Sequence, residues 1–458
     1  MPPLTNAQTR DVETLIHPYT NLDAHRNDGP MILETGQGVY VRDTDGKQYL
    51  EGMAGLWCTS LGYGNEELIE AAREQLSKLS FTHIFGGKSH DAAIALAEKL
   101  KEISPAPASK IFFTCSGSEA NDTQIKLVWY YNNARGKTEK KKIISRQRGY
   151  HGVTIATASL TGLPANHADF DLPIDRILHT GCPHHYRCAE EGESEDEFAT
   201  RLANELDELI QKEGPETVAA FIAEPVMGAG GVVVPPESYF GKIQDVLTKY
   251  DILFIVDEVI CGFGRTGEMF GSETLGIKPD TISVAKALTS AYAPLGAVTV
   301  SEDVYQAMLD ESRKIGTFGH GYTYSGHPLS TAIGLKTLEI YERDNIVGHV
   351  KSVAPIFQSR LKALGSHELV GEARGVGLIG GLELVADKAT KKAFDPKQGV
   401  AAMASRMCQE EGLIVRAIAS ETLAMCPPLI ITEDQVNEMF DCLERGLDRA
   451  RDHLKAEA

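Results

Sequence analysis

The sequence is poor in cysteine, in tryptophan and in long apolar runs. It contains 8 cysteines and 2 tryptophans among 458 residues, and aromatic residues make up 7% of the chain. Cysteines this sparse, scattered along a long chain, indicate reduced thiols rather than a disulfide framework. No apolar run approaches the ~18 residues of a membrane-spanning helix, so we do not expect a membrane protein.

Positive charge is also scarce. The 45 lysines and arginines face 64 aspartates and glutamates, which gives a formal net charge of -19. A surface this acidic repels nucleic-acid phosphates and anionic lipid, so neither nucleic acid nor membrane is expected as a partner. Residues 1–20 lack the basic stretch and the following apolar stretch of a secretory signal, so we expect a cytoplasmic protein.

The middle of the chain shows the pattern of a mostly parallel sheet. Its 458 residues exceed the size at which a single hydrophobic core stops growing, so more than one domain is expected. Short β-rich apolar runs alternate with longer amphipathic stretches, which is typical of βαβ units. The predicted strands are 110–114, 142–145, 218–223, 252–256, 281–284 and 297–300, and the predicted helices are 119–133, 197–212 and 237–249.

The C-terminal third changes character. Its predicted elements are helices 329–341, 346–364 and 399–411, a strand at 378–384, further short strands and a last helix from residue 432. We therefore expect an α/β fold in which residues 55–325 form a large domain with a mostly parallel central sheet sandwiched by helices. A smaller α+β domain would combine residues 1–54 with residues 326–458. The polar stretch 182–196 is predicted to be a surface loop.

The segment 114–122, Thr-Cys-Ser-Gly-Ser-Glu-Ala-Asn-Asp, lies between a predicted strand and a predicted helix. Small residues there let backbone N–H groups approach a ligand, and a helix N-terminus attracts phosphate. Gly117 and Ser118 are the candidate phosphate cradle. Taken alone, the same segment is equally consistent with an ordinary N-capped turn.

Two further strands each end in a charged residue. Asp257 follows an apolar run and would lie at the carboxyl edge of the sheet, where α/β proteins bind ligands. A carboxylate buried there needs a cationic partner, unless it is only a loop or capping residue. Lys286 ends another apolar run, and burial would lower its pKa and give the neutral amine that imine chemistry needs. Taken alone, a lysine there is more often structural.

Together these motifs resemble the fold-type I pyridoxal-phosphate (PLP) enzymes, because a phosphate cradle, a strand-end acid and a strand-end lysine follow in that order. In detail the chain resembles the class III aminotransferases, and within them the ω-transaminase or amine:pyruvate aminotransferase group. The resemblance extends over essentially the whole chain. It is carried by HPYT (17–20), AGLWCTSLGYG (54–64), SGSEAND (116–122), RGYHG (148–152), AEPVMGAGG (223–231), DEVICGFGRTG (257–267), AKALTSAY (285–292), GHGYTYSGHP (319–328) and CPPLIIT (426–432).

The resemblance implies that Lys286 holds pyridoxal 5′-phosphate as a Schiff base and moves the proton at the substrate carbon, with pyridoxamine 5′-phosphate as the intermediate form. Asp257 would pair with the pyridinium nitrogen and keep the ring protonated. The other implied cofactor contacts are Gly117 and Ser118 at the phosphate, Tyr150 stacked on the ring, Val259 on its opposite face, Glu224 in the network near Asp257, and Thr323 at the phosphate of a neighbouring subunit. A homodimer with shared active sites, or a dimer of such dimers, follows from the last contact.

The same resemblance implies a substrate pocket with aromatic walls. Tyr19, Trp57, Phe85 and Tyr150 would form these walls, which suit apolar or aryl amines. Ordinary packing is the alternative for Tyr19 and Phe85. Arg416 would bind the carboxylate of pyruvate and move aside for an amine that has none; a surface ion pair is the alternative role.

The expected reaction is transfer of an amino group from a primary aryl or alkyl amine, with (S) selectivity, to pyruvate. Alanine and a ketone or aldehyde would be released in a ping-pong cycle. A diamine, ω-amino acid or taurine:pyruvate aminotransferase of the same fold is the alternative. Ala293, where many relatives have leucine, and the apolar Ile418 depart from the group, and Ile418 slightly favours a hydrophobic substrate.

Two further motifs and one residue are not expected to form a nucleotide site, a metal site or a catalytic base. Residues 375–380 match G-x-G-x-x-G but lead into a predicted strand rather than a helix, so a nucleotide site is not expected. Cys182 and Cys188 lack the C-x₂-C spacing and a second ligand pair, so no metal site is expected. His151 is predicted to make a supporting hydrogen bond rather than to act as a catalytic base.

Overall fold

The computed structural model describes residues 4–419 and 421–457. Within these residues the chain forms fifteen strands, which belong to three sheets. In chain order the strands are β1 Leu33–Gln37, β2 Tyr40–Asp43, β3 Gln48–Glu51, β4 Lys110–Thr114, β5 Lys142–Arg146, β6 Ile177–Thr180, β7 Val218–Ala223, β8 Leu253–Asp257, β9 Thr281–Val284, β10 Gly296–Val300, β11 Val370–Val376, β12 Ile379–Leu384, β13 Leu413–Ile414, β14 Arg416–Ile418 and β15 Thr422–Met425.

The largest sheet has seven strands in the order β4-β10-β9-β8-β7-β5-β6. Strands β5 to β9 pair in parallel, whereas β10 runs antiparallel to β4 and β9. All six residues of β7 are buried, as the near-continuous apolar sequence of a parallel strand predicts. Because parallel strands point the same way, the carboxyl ends of β7, β8 and β9 meet along one edge of the sheet.

Helices connect and surround these strands. The ends of α9 show why they form where they do: Ser194 and Glu197 make a reciprocal capping box at its start, and Gly214, with φ 87°, ends it. The helices are α1 Asn6–Thr14, α2 Leu22–Asp28, α3 Ala54–Trp57, α4 Glu66–Lys78, α5 Asp91–Ile103, α6 Gly117–Ala134, α7 Ile155–Leu160, α8 His185–Cys188, α9 Glu195–Glu213, α10 Tyr239–Lys249, α11 Gly271–Thr274, α12 Glu302–Ile315, α13 Pro328–Arg343, α14 Ile346–Leu364, α15 Val400–Glu410 and α16 Glu433–Glu457. Short 3₁₀ turns add Phe85–Gly87, Pro164–Asn166, Lys286–Thr289 and Pro396–Gln398.

The two smaller sheets join distant parts of the chain. One has the order β1-β2-β3-β13, and its β3 and β13 pair in parallel, so the N-terminal strands are bonded to a C-terminal one. The other has the order β11-β12-β15-β14 and is antiparallel. These sheets and the central one confirm the predicted α/β fold class, while the domain boundaries at 54/55 and 325/326 stay a prediction. No helix among the described residues has the length and apolar character needed to cross a membrane.

The strands and helices predicted from the sequence are confirmed to within two residues at each end. The elements that were not predicted are strands β1 to β3, β6 and β11 and helices α1 to α5, α7, α8, α11 and α12. Residues 375–380 lie in the β11–β12 hairpin, where Gly375 pairs with Gly380. The predicted strand after them is therefore confirmed, and this turn differs from the strand-to-helix turn that binds dinucleotides.

The prediction of a surface loop at 182–196 is wrong for its first residues. Cys182 is buried against Met227 and Val233. His184 is buried too, and its Nε2 lies 2.9 Å from a carboxylate oxygen of Glu372 on β11. The polar composition of this stretch cannot show that its partners come from distant segments.

Candidate active site

Ten of the side chains predicted to form the site line one cavity of about 610 Å³ at the carboxyl edge of the central sheet. Cavities of this size suit a cofactor together with a small substrate. The ten are Tyr19, Trp57, Gly117, Ser118, Tyr150, Glu224, Asp257, Val259, Lys286 and Arg416. Ala293 and Ile418, the two noted departures, line it as well.

Phe85 and Thr323 lie outside this cavity. Phe85 is 44% exposed and packs toward Gly321, where an added Cβ would lie 2.6 Å from its ring. Thr323 is exposed on the same loop region. Within a single chain, therefore, neither residue forms a wall of the site, and the predicted role of each requires a second copy of the chain.

Lys286 follows β9 after one residue and begins the 3₁₀ turn Lys286–Thr289. Its φ of 49° lies in the left-handed region, as do those of Ser290 and Ala291, so the backbone here is strained. Burial lowers the pKa of Lys286, and the nearby Cys58 and Asp257 only partly oppose this effect. The cavity therefore contains an amine that is biased toward its neutral, nucleophilic form.

Asp257 is the last residue of β8 and is buried. Its Oδ2 accepts a hydrogen bond from Asn121 Nδ2 at 2.6 Å and lies 2.8 Å from His151 Nδ1, and its Oδ1 accepts from the Val259 N–H at 3.1 Å. The supporting hydrogen bond predicted for His151 is thus present. Among the residues that the structure describes, no lysine or arginine forms an ion pair with Asp257, and hydrogen-bond donors orient its carboxylate.

Asn121 has a role that the sequence did not reveal. Besides binding Asp257, its Nδ2 donates to the backbone oxygen of His151 at 2.9 Å. Asn121 follows Gly117 by one helical turn on α6, so both residues face the same side. That i, i+4 spacing within the SGSEAND segment is the signal that could have pointed to it.

Glu224 follows β7 and shapes the loop that carries Tyr150. Its Oε1 accepts from the Tyr150 N–H at 2.9 Å and its Oε2 from the Gly228 N–H at 3.0 Å. Complete burial raises the pKa of Glu224. The Tyr150 ring meets the Tyr19 ring edge-on at 6.4 Å between centroids, so the two aromatic rings form adjoining parts of the wall.

The N-terminus of α6 forms an anion cradle. Ser116 caps the helix, its Oγ accepting from the Glu119 N–H at 3.1 Å. Among the residues that the structure describes, no hydrogen bond engages the N–H groups of Gly117 and Ser118. A Cβ on Gly117 would lie 2.9 Å from a Val259 methyl carbon, so only glycine brings the backbone this close. Two free donors at a helix N-terminus suit a phosphate group.

Arg416 supplies the positive charge of the cavity wall. It begins β14, and burial lowers the pKa of its guanidinium, which Tyr150 and Tyr19 oppose in part. Its guanidinium has no hydrogen bond or ion pair to any side chain within residues 4–419 and 421–457. A partly buried cation without a partner is suited to a carboxylate ligand.

Comparison with known proteins gives consistent results. The family model described as "Aminotransferase class-III" matches residues 23–447. The chain is 52% identical over 430 residues to the mitochondrial gamma-aminobutyrate transaminase 1 of Oryza sativa subsp. japonica, covering 93% of this chain and 82% of that protein. The omega transaminase of Pseudomonas jessenii in complex with PMP is 51% identical, with a TM-score of 0.96 and coverage of 97% of this chain and 98% of that one.

A second solved structure is similar over the same length. It is a thermostable omega transaminase variant in which one tryptophan, one phenylalanine and one arginine are replaced, engineered for asymmetric synthesis of enantiopure bulky amines. It is 51% identical, has a TM-score of 0.96 and covers 98% of this chain and 99% of that one. The names of these relatives thus mention two kinds of compound: a γ-amino acid in the curated relative, and bulky amines as the products of synthesis in the engineered one.

Proposed function

Because this chain belongs to the class III aminotransferase family, we propose that it transfers the amino group of a primary amine to pyruvate. The family assigns the enzyme class and the cofactor, pyridoxal phosphate, with an amino donor and a 2-oxo acid as substrates. The observation that supports the finer statement is an unpaired guanidinium, Arg416, beside aromatic walls in the same cavity as a lysine with a lowered pKa.

The cavity fits this cofactor. The free N–H groups of Gly117 and Ser118 at the start of α6 suit its phosphate. Asp257, oriented by Asn121 and His151, suits a protonated ring nitrogen. His151 Nε2 is buried without a partner, so the hydrogen-bonding capacity of this network is not exhausted by the protein. Lys286 completes the set with an amine whose pKa is lowered by burial.

When bound, pyridoxal phosphate supplies an aldehyde for the amino group and a ring that draws electrons from the substrate carbon. The chain's own groups do the rest. Asp257 would hold a proton at the ring nitrogen, and Lys286 would take the proton from the substrate carbon and deliver it to the carbon that carried the cofactor's aldehyde. Tyr150 and Val259 would fix the plane of the ring, and the apolar side chains of the cavity wall would limit the access of water to the reacting carbon.

For the donor, we propose a primary amine with an apolar or aryl group, taken with (S) selectivity. Trp57, which is 3% exposed, and Tyr150 offer apolar surface for such a group. An ω-amino acid is the second candidate donor. It is favoured by the curated relatives named gamma-aminobutyrate transaminases, and Arg416 could bind its carboxylate.

A visible absorption spectrum tests the proposal. The purified protein, supplied with pyridoxal phosphate, should show a yellow band that bleaches on addition of 1-phenylethylamine and returns with pyruvate. Bleaching by 4-aminobutyrate but not by 1-phenylethylamine would replace the first donor class by the second. A band that no amine alters would contradict amino transfer altogether.

Substitution Arg416→Ala should separate substrates that carry a carboxylate from those that do not. We expect kcat/KM for pyruvate to fall about 10- to 100-fold, because a charge-assisted hydrogen-bond pair is lost, while that for an uncharged amine changes little. Arg416→Lys, which keeps a point charge without the planar fork, should lie between the two. Half-reaction kinetics with each substrate measure the effect. Equal losses for both substrates would remove Arg416 from carboxylate binding.

We also propose a homodimer with shared active sites. Thr323 lies beside an exposed aromatic cluster: Phe81, Phe85 and Tyr324 are 41%, 44% and 59% exposed, and the rings of Phe81 and Tyr324 are 5.8 Å apart. Exposed apolar clusters of this kind mark interaction surfaces. Sedimentation equilibrium should give the mass of two or four chains, and Thr323→Ala should weaken cofactor binding without changing that mass. A fully active single chain would contradict the proposal.

The cytoplasmic location expected from the sequence also remains a proposal. It is supported by the state of the cysteines, because all eight are free thiols in the structure. Unpaired thiols are typical of reducing compartments.

A further inference from the structure

The turn that delivers Trp57 to the cavity is strained. Ala54 and Trp57 have φ angles of 48° and 65°, in the left-handed region that side chains rarely adopt. Gly55 between them has φ 65° and ψ -91°, outside helical geometry. A segment with so many unfavourable backbone angles keeps its shape only when neighbouring groups hold it.

Glu51 is the side chain that holds this turn. Its Oε1 accepts a hydrogen bond from the Met53 N–H at 3.2 Å, its Oε2 accepts from the Gly55 N–H, and the Tyr63 hydroxyl donates to Oε2 at 3.5 Å. Two of the backbone N–H groups of the turn are thus satisfied by one carboxylate. Gly55 lies two residues before Trp57, and the Trp57 N–H donates to the Met53 oxygen at 2.9 Å, so the carboxylate holds the backbone that carries the tryptophan.

The same carboxylate is in an unusual place. Glu51 is 3% exposed, and no ion pair within the described residues involves it. Burial raises its pKa to about 7, and the N–H donors of the turn oppose the rise. Burying a carboxylate without a cationic partner costs free energy. We therefore attribute the presence of Glu51 here to its hydrogen bonds with the turn.

The backbone at Glu51 is held by hydrogen bonds to the neighbouring segments on both sides. Glu51 ends β3, which lies between β2 and β13 in its sheet. Its own N–H donates to Val39 O at 2.9 Å, it pairs with Ile414, and the Gly52 N–H donates to Ile414 O at 2.9 Å. A side chain fixed at its base can transmit a fixed geometry to the turn.

We propose that Glu51 is a positioning residue that fixes the Trp57 wall and thereby determines which amine donors the cavity accepts. The inference rests on the proposed function, because it concerns the donor pocket of that reaction. A purely structural Glu51 would instead affect all substrates alike, through the amount of folded protein.

The first test is the selectivity of Glu51→Gln. The amide keeps the size of the side chain but turns an N–H toward one of the two backbone donors. Using the reconstituted full-length enzyme, we expect kcat/KM for the donor with the largest accepted apolar group to fall about tenfold. For alanine, whose side chain is a single methyl group, the change should stay below about threefold. Asp280→Asn is the matched control. Asp280 is also a carboxylate with a raised pKa, and it accepts a hydrogen bond from the Phe254 N–H at 2.7 Å. It lies just before β9, at the opposite end of that strand from Lys286.

The second test needs no substrate. The chain has 2 tryptophans, so in a Trp129→Phe background the fluorescence comes from Trp57 alone. Adding Glu51→Gln should shift its emission to the red and increase its quenching by acrylamide, while Asp280→Asn should change neither. If Glu51→Gln does not fold, Glu51→Asp, which shortens the reach of the carboxylate, is measured in the same way.

Unchanged emission together with equal losses for both donors would overturn the inference and leave the proposed function standing. If the unsubstituted enzyme transfers no amino group, the proposed function fails. The fluorescence result then decides alone whether Glu51 holds Trp57.

Discussion

The substitution Lys286→Ala is expected to lower the rate of amino transfer by about 10⁴-fold, the upper range for loss of a positioned acid–base group. Burial lowers the pKa of the Lys286 amine in the cavity, and its backbone is held at an unfavourable φ of 49°. With alanine in its place, the proton at the substrate carbon has no amine to accept it. Single-turnover kinetics, followed by the absorbance of the bound cofactor, measure the loss.

Two controls distinguish this chemical effect from a loss of structure. Lys140→Met removes another buried lysine with a lowered pKa, whose Nζ donates to Tyr250 O at 3.1 Å, and it should leave the catalytic rate unchanged. Methylamine added to Lys286→Ala should restore part of the rate, because a small free amine can occupy the vacated space. Near-normal activity of Lys286→Ala would refute the assignment.

Six of the seven strands of the central sheet could be predicted from the sequence, because their signals are local. Strand β7 is apolar throughout, β8 is apolar up to its final Asp257, and the amphipathic helix α9 before them has clear caps. Strand ends then place Asp257 and Lys286 at the same edge without further information. The buried first residues of the 182–196 stretch were not predictable in this way, because the partners of Cys182 and His184 come from elsewhere in the chain.

For a similar reason, only some residues of the candidate site could be predicted from the sequence. Residues next to strand ends or in distinctive segments were found, and ten of them line one cavity. Asn121 and Glu51 were missed because their roles depend on hydrogen bonds and backbone angles that only the folded chain shows. The i, i+4 spacing from Gly117 indicates the side of α6 on which Asn121 lies, but not its partner Asp257. Phe85 and Thr323 lie away from the cavity of their own chain. The roles predicted for them involve a second copy of the chain, so the structure of one chain does not test them.

The substitution Asp257→Asn should retain the cofactor but slow amino transfer by about 10²- to 10³-fold, the range measured when one preorganised electrostatic group is removed from an active site. The carboxylate is held by Asn121 and His151 and by the Val259 N–H. An amide of the same shape can keep some of these contacts, but it lacks the negative charge that keeps a proton on the ring nitrogen.

The loss should therefore appear in the rate constant of the chemical step and not in the amount of cofactor bound. Equilibrium dialysis gives the second quantity and single-turnover absorbance the first. Asp280→Asn again serves as the control, because it removes a carboxylate with a raised pKa at the far end of β9. If Asp257→Asn released the cofactor while the remaining bound fraction reacted at the normal rate, Asp257 would be a binding residue only. Loss of rate at full occupancy would instead mean that the charge itself drives the removal of the substrate proton by Lys286.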